Sequence, residues 1–334
     1  MNRSLFSRPI RRRTALASLA AFAAMAAGPF ALPAQAYPDR PVTIVVPFPP
    51  GGASDSAARI VASKMPEVLG QPVVIDNRPG ANGGTGAQHV KNSPADGYTL
   101  LVGSIGVFAI NPALNPALGY DPKTDLDLLT VIVRTPNVLV ANPNFPANSV
   151  AELVEYLKKN PDKVTFASSG VGSSDHLTAA LFWQKTGTSG IHVPYKGGGP
   201  AIADLIAGHA EVSFQNLGSV TSHIKAGKLK ALGVTAADRH PILPDVPTMK
   251  QAGVDGLDVY SWQAAAAPKG LPADVKTKVV KAFAAGLAAP DVKAKFKEMG
   301  FEVVGNTPEE FAAFQKAEEA RWREVVKAGN IVTQ

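Results

Sequence analysis

The 334-residue chain has no cysteine, which excludes disulfide scaffolds, thiolate metal sites, cysteine nucleophiles and an N-terminal lipid-modified cysteine. Charge is scarce as well. Asp, Glu, Lys and Arg make up 18% of residues, while 46% are apolar, a balance that suits a folded core rather than a disordered polyelectrolyte. The net charge of +6 would fit a nucleic-acid partner, but its placement argues against one. Arg3, Arg8, Arg11, Arg12 and Arg13 all precede the first acid, Asp39, and without them 28 bases face 27 acids. The six histidines (89, 176, 192, 209, 223 and 240) include no pair at three- or four-residue spacing, so no helical metal site is expected. Phosphate and dinucleotide fingerprints are missing too. Gly170-Val171-Gly172 is followed by Asp175 and Gly84-Thr85-Gly86 by His89 where the dinucleotide motif needs glycine, and Gly-Lys-Ser/Thr does not occur. No serine lies in a G-x-S-x-G elbow. No cofactor is expected.

What is present begins with an export signal over residues 1–36. An arginine-rich start precedes the apolar run Ala15 to Ala27, Gly28 and Pro29 break it, and Ala34-Gln35-Ala36 offers a small-x-small cleavage site before Tyr37. The run is shorter than the roughly 20 residues that span a bilayer. Arg12-Arg13 leaves the Sec and twin-arginine routes both open, and the destination is the periplasm. No comparable apolar run follows, so the mature chain is expected to be soluble.

After the signal, β-branched runs alternate with helical patterns. Strands are expected at Val42 to Pro47, Val73 to Asp76, Thr99 to Val102, Leu129 to Val133, Val138 to Ala141, Val164 to Ala167, Ile191 to Tyr195, Val212 to Phe214 and Leu229 to Val234. Ser149-Val150-Ala151-Glu152 reads as a capping box ahead of Val150, Leu153, Val154 and Leu157. Thr307-Pro308-Glu309-Glu310 opens a helix whose stripe is Phe311, Phe314, Trp322 and Val325. Such alternation predicts an α/β protein with largely parallel sheets, and its length predicts two lobes with a cleft. The lobes should change at the extended stretches Pro136 to Pro146 and Pro241 to Trp262.

Glycine (30 residues) and proline (28) are plentiful, and they gather in four turns that follow strands and open helices. These are Pro47 to Asp55, Asn77 to Gly86, Ser168 to Asp175 and Tyr195 to Pro200. In a parallel sheet all four lie at the carboxyl edge, where ligands bind. Glycine admits a ligand close to the backbone, and the helix behind it offers free N–H groups to an anion such as a carboxylate. Glycine also simply closes tight turns. Ser173 and His176 could form a nucleophile–base pair of an exported hydrolase, or a helix cap beside a first-turn histidine. Asp55 and Asp175 read first as acids favoured in a helix's first turn. Arg78 could meet an acidic ligand or tie down its own loop, and Phe48 and Tyr195 could stack on a ligand or belong to the core. Gly103 to Ala109 is a candidate apolar pocket wall, which tilts the expectation toward a ligand with an apolar or aromatic body.

With these turns assembled, the chain resembles the periplasmic solute-binding proteins of tripartite tricarboxylate transporters, the Bug receptor family of β-proteobacteria. The resemblance is carried in order by Tyr37-Pro38 with Arg40-Pro41-Val42, Val45 to Gly52 with Asp55, Asp76 to Ala81, Asp96 to Leu101, Ser168 to Ser173, His192 to Gly197, Asp204 to Gly208 and Leu243 to Thr248. Two segments depart from the usual pattern: Trp262-Gln263-Ala264 to Pro268, where relatives have glycine after the Trp, and Leu126 in place of phenylalanine.

The resemblance implies a type II periplasmic-binding-protein fold, two α/β lobes closing on a ligand, with a first lobe of residues 37–137 plus 260–334 and a second of 138–259. It implies a receptor rather than an enzyme. Its first-lobe contacts would be Phe48, Gly51, Gly52, Ser54, Asp55 and Ala81. Its second-lobe contacts would be Ser168, Ser169, Gly172, Ser173, Tyr195, Gly197 and Gly198, with Gln215 and Asn216. The implied ligand is a small organic acid: a di- or tricarboxylate, an acidic amino acid or an aromatic acid. The implied partners are the large and small membrane subunits of a permease, served by a monomer. A ligand-sensing receptor for a signalling partner would use the same cleft.

Overall fold

The computed structural model describes residues 37–115 and 118–332; the expected export signal, residues 1–36, lies outside the described residues. Its ten strands are β1 (Val42–Val46), β2 (Val73–Asn77), β3 (Thr99–Ser104), β4 (Leu126–Ala141), β5 (Thr165–Ser168), β6 (Ile191–Pro194), β7 (Val212–Asn216), β8 (Lys230–Val234), β9 (Tyr260–Pro268) and β10 (Glu302–Val303). They form two sheets that share one strand. The first has the order β2-β1-β3-β9-β4-β10, and the second β8-β4-β7-β5-β6. β1 is parallel to β2 and β3, and β5 to β6 and β7, so these loops do leave from carboxyl edges as expected.

Two features of the sheets differ from the sequence expectation. The sheets are mixed, because β9 runs antiparallel between β3 and β4, and β4 runs antiparallel to β7 and β8. In addition, Leu129 to Val133 and Val138 to Ala141 are not separate strands but parts of the 16-residue β4. Arg134 to Asn137 looks like a break because proline cannot serve a ladder from both sides. Here Pro136 faces Tyr260 at the end of the β9 ladder, and Asn137 begins the pairing with β7. The chain therefore passes from one sheet to the other without turning. Thr235 secures the crossing: its N–H donates to the Asn137 carbonyl (2.9 Å), its Oγ1 accepts from Asn137 N (2.9 Å), and its own carbonyl accepts from Val259 N (3.1 Å).

Helices form where their caps predict, and their stripes are buried or half-buried except for Phe314, which is exposed at the edge of its helix's apolar face. Ser149 caps Val150–Lys159 by accepting Glu152 N–H, but Glu152 reaches back to Asn148 N–H rather than to the cap residue. Thr307 and Glu310 make the full reciprocal box at the start of Pro308–Ala328. This last helix buries Phe311 and Trp322, and Phe311 packs on Phe108 and Trp262, with Trp262 set 5.9 Å from both Phe108 and Phe311. It also reaches the second sheet's helix Ser174–Thr186, where Gln184 Nε2 donates to the Val325 carbonyl (2.9 Å). One apolar cluster runs from Val45 and Leu101 through Trp262 to Phe166, Phe182 and Phe214, so a continuous core joins the two sheets.

Candidate functional site

The loop after β1 is built around a carboxylate. Asp55 is buried in the first turn of helix Ala53–Ala62, and its Oδ2 accepts Gly51 N–H (2.9 Å) and Arg59 Nε–H (2.9 Å) while Oδ1 accepts from Asn77 Nδ2 (3.0 Å). Burial opposes its ionisation, but the bonds from Arg59, Gly51 and Asn77 outweigh burial and hold its carboxyl below the ordinary carboxylate range. Asn77 also donates to the Phe48 carbonyl (3.0 Å). Asp55 thus shapes the loop from inside. What the loop leaves open is the helix start at Gly52, which carries no side-chain cap. Beside it, Ser54 Oγ donates to Gln263 Oε1 (2.5 Å), bringing β9 to the same edge.

The loop after β5 repeats the plan in the other sheet. Asp175, buried in the first turn of Ser174–Thr186, accepts Ser169 N–H and Ser169 Oγ–H, each at 2.6 Å. Here burial prevails over the Ser169 bonds and raises the carboxyl pKa. Ser173 caps the helix, accepting His176 N–H (3.3 Å) and donating to the Gly170 carbonyl (2.7 Å). The geometry is the helix cap, not the nucleophile–base pair, since the His176 imidazole takes Gly172 N–H on Nδ1 (3.2 Å). His176 stacks on His192 with centroids 3.7 Å apart, and His192 Nε2 meets Ser168 Oγ at 2.6 Å. Burial, with His192 adjacent, pushes His176 down to about 3, and burial pushes His192 down to about 4. The two neutral rings therefore brace the loop.

The turn after β6 ends in a second open helix start, at Gly197 (φ 112°), again without a side-chain cap on Gly198–Ala207. Tyr195 Oη donates to Asp204 (2.9 Å), and a Cβ on Gly198 would lie 3.3 Å from both Ser169 Oγ and Gln215 Oε1. Gln215 is buried and donates to Ser213 Oγ (2.8 Å); Asn216 donates to Asn137 Oδ1 (2.7 Å). Ala81 is exposed, with φ +48°. Arg78 is paired with Asp76 (2.6 Å). The segment Gly103 to Ala109 is a correction to the expected wall: Ile105 and the single π turn Gly106–Ile110 are buried, and Phe108 lies in the aromatic core.

Carboxyl-edge loops from the two sheets meet directly. Asn82, after β2, donates through Nδ2 to the Gly172 carbonyl (2.9 Å) and to Asn111 Oδ1 (3.0 Å), and Asn111 Nδ2 returns a bond to the Asn82 carbonyl (3.0 Å). Sequence reasoning missed Asn82, Asn111 and Gln263. An Asn inside a glycine-rich turn was the available signal for the first. A cavity of about 410 Å³ lies elsewhere, against Val171, His176, Trp183, His192 and Ile331. Neither open helix start lines it, so anion-binding chemistry favours the two helix starts over that cavity. Among the described residues, no three His, Asp or Glu side chains converge as for a metal ion, and no helix is long and apolar enough to cross a membrane.

The sequence profile of the tripartite tricarboxylate transporter family receptor matches residues 57–331. The chain belongs to that family. Among solved structures, this receptor is similar to the periplasmic binding protein BugD, with 38% identity and a TM-score of 0.81 over 89% of this chain and all of that one. It is equally similar to Rpa4515 of R. palustris with adipate, at 38% identity and a TM-score of 0.83 over 89% and 99% of the two chains. MatC from Rhodopseudomonas palustris with bound malate matches at 32% identity and a TM-score of 0.80, over 87% and 100%. The receptor accordingly has the two-lobed α/β periplasmic-binding-protein fold that the family resemblance implied.

Proposed function

We propose that this receptor, once residues 1–36 are removed, captures a small organic carboxylate in the periplasm and delivers it to the large and small subunits of a membrane permease. The observation that carries the reading is the pair of uncapped, glycine-led helix starts, Gly52 and Gly197, at carboxyl edges of two sheets whose loops meet. Each offers unshared N–H groups and a positive dipole end, and one carboxylate or two can be held there without a counter-ion. Relatives that hold adipate and malate support an acid as ligand. The lobes would meet at residues 137–138 and 259–260, where the chain changes sheets. Gly51, Gly52, Ser54, Ala81, Gly197 and Gly198 would approach the ligand. Phe48, Ser168, Ser169, Gly172, Ser173, Tyr195, Gln215 and Asn216 would line the pocket or brace the loops that contact the ligand, and Asp55 and Asp175 would act by holding the loops in shape.

A thermal-shift screen of residues 37–334, unfolded and refolded to strip any carried ligand, tests this with adipate, malate, citrate, acidic amino acids and benzoate-type acids beside their amides. An acid at 100 times its dissociation constant should stabilise by about 2.7 kcal/mol. Equal shifts for an acid and its amide, or no shift with any acid, would overturn the reading. Delivery is tested by uptake of the bound acid in cells carrying the permease, which should be lost without the receptor.

A further inference from the structure

We infer that Asn82 is the latch that holds the two lobes closed, its side-chain amide presented by one lobe to the Gly172 carbonyl of the other. The inference rests on the reading that the lobes close over a ligand. The two hydrogens of Asn82 Nδ2 have separate partners: Asn111 Oδ1 in the same lobe, and the Gly172 carbonyl in the opposite one. Asn111 returns a bond to the Asn82 carbonyl, so the amide is aimed before the lobes meet. The receiving side is equally fixed, because Gly172 N–H is committed to His176 Nδ1 and His176 stacks on His192. A contact between two preorganised groups gives up little freedom when it forms.

The space around the amide is made to measure. A Cβ on Gly106 would lie 3.0 Å from Asn82 Nδ2, and one on Gly172 would lie 3.1 Å from it. Glycines from both lobes therefore leave room for this one nitrogen. Gly172 also has φ +76°, and Ala81 and Asn82 are both held at φ +48°, a left-handed pair that non-glycine residues adopt only where surroundings enforce it. Opening the cleft would break the Gly172 bond and leave both Asn111 bonds intact. The latch therefore weights the closed state alone, which distinguishes it from the loop-shaping bonds of Asp55 and Asp175.

The test counts closed molecules directly. The chain has no cysteine, so dyes can be placed on Pro50→Cys in the loop after β1 and Pro200→Cys in the first turn of helix Gly198–Ala207, two exposed positions in opposite lobes, and followed by single-molecule energy transfer. Refolded protein is compared without ligand and with adipate, as the parent and as Asn82→Gly and Asn82→Asp. Asn82→Gly accepts a positive φ and removes the amide. Asn82→Asp keeps the shape but sets an oxygen against two acceptors. One net hydrogen bond corresponds to about a fivefold change in an equilibrium, so closed dwells should shorten about fivefold in Asn82→Gly and further in Asn82→Asp, with the urea midpoint of Asn82→Gly lowered by no more than the lost Asn111 bond accounts for. Closed dwells within twofold of the parent in both variants, or none in the parent, would overturn the latch. A merely structural role would shift the urea midpoint and leave the dwells alone. Failure of the receptor reading looks different: no acid in the screen above would lengthen closed dwells, while the effect of Asn82 persists.

Discussion

Moving from pH 7 to pH 5 should weaken this fold through His176, and the size of the effect can be worked out. In the unfolded chain a histidine titrates near 6.5. In the fold, burial and the stacked His192 hold His176 down at about 3. A depressed histidine is stabilising only in relative terms: its neutral form carries no penalty above 6.5, and stability is lost as pH falls below 6.5 because only the unfolded chain gains the proton. At pH 5 that gap spans one and a half pH units at about 1.4 kcal/mol each, or about 2 kcal/mol. The figure barely depends on how far below 5 the folded value lies. His192, less enclosed, acts in the same direction, whereas Asp175, raised by burial, acts in the opposite one. The comparison that isolates His176 is therefore a difference of differences: urea unfolding of the parent and of His176→Gln, each at pH 7 and pH 5. The parent should lose about 2 kcal/mol more than the variant over that interval. Equal losses would refute the burial of a neutral His176 behind the Ser168 to Ser173 loop.

Three glycine substitutions probe the backbone, one in the packing and two at the site. Gly218→Ala would set its Cβ onto the Met299 carbonyl oxygen, where the helix Leu217–Lys225 abuts the turn at Gly300; urea unfolding should show a loss of at least 1–3 kcal/mol, the usual range for overpacking. Gly172→Ala meets Leu114 Cδ1 at 2.8 Å across the cleft, so titration calorimetry should show acid affinity reduced tenfold or more, while the unfolding midpoint falls only by the roughly 1 kcal/mol of a left-handed alanine. Gly52→Val has ordinary dihedrals and only Pro49 O near its Cβ, at 3.8 Å; it should fold with stability within about 1 kcal/mol of the parent yet show no acid-induced thermal shift.

The sequence made the glycine turns legible because each pairs a β-branched run with a helix start, and both signals are local. The β-branched parts of β4 were legible too, but not their union, since Pro136 is a break by every local rule and only the change of partner at that residue makes it acceptable. β9 escaped for the opposite reason. Trp262-Gln263 and four alanines carry neither alternation nor β-branching, and their extended form is imposed by burial between β3 and β4. With β9 unseen, the sheets read as parallel. At the site, Asp55 and Asp175 were recognisable as first-turn acids, but their hold on Gly51 and Ser169 needs the loop to fold back. The pairings His192 with Ser168 and Asn82 with Gly172 join residues 24 and 90 positions apart, beyond what spacing can reveal.

The position of β9 also governs the order in which this chain can become a folded object. During synthesis, β1, β2 and β3 emerge early, but the strand that seals the β3 edge arrives only with residues 260–268. The helix that covers Phe108 comes later still, from Pro308. β5 to β8, with the latter part of β4, form a contiguous stretch that can pair as soon as it is made. The middle of the chain should thus fold ahead of its beginning, leaving β1 to β3 waiting with an unpaired edge. Such edges invite pairing with other chains, so nascent or truncated forms ending before Tyr260 should be substrates for chaperones and prone to aggregate, while the completed chain is not.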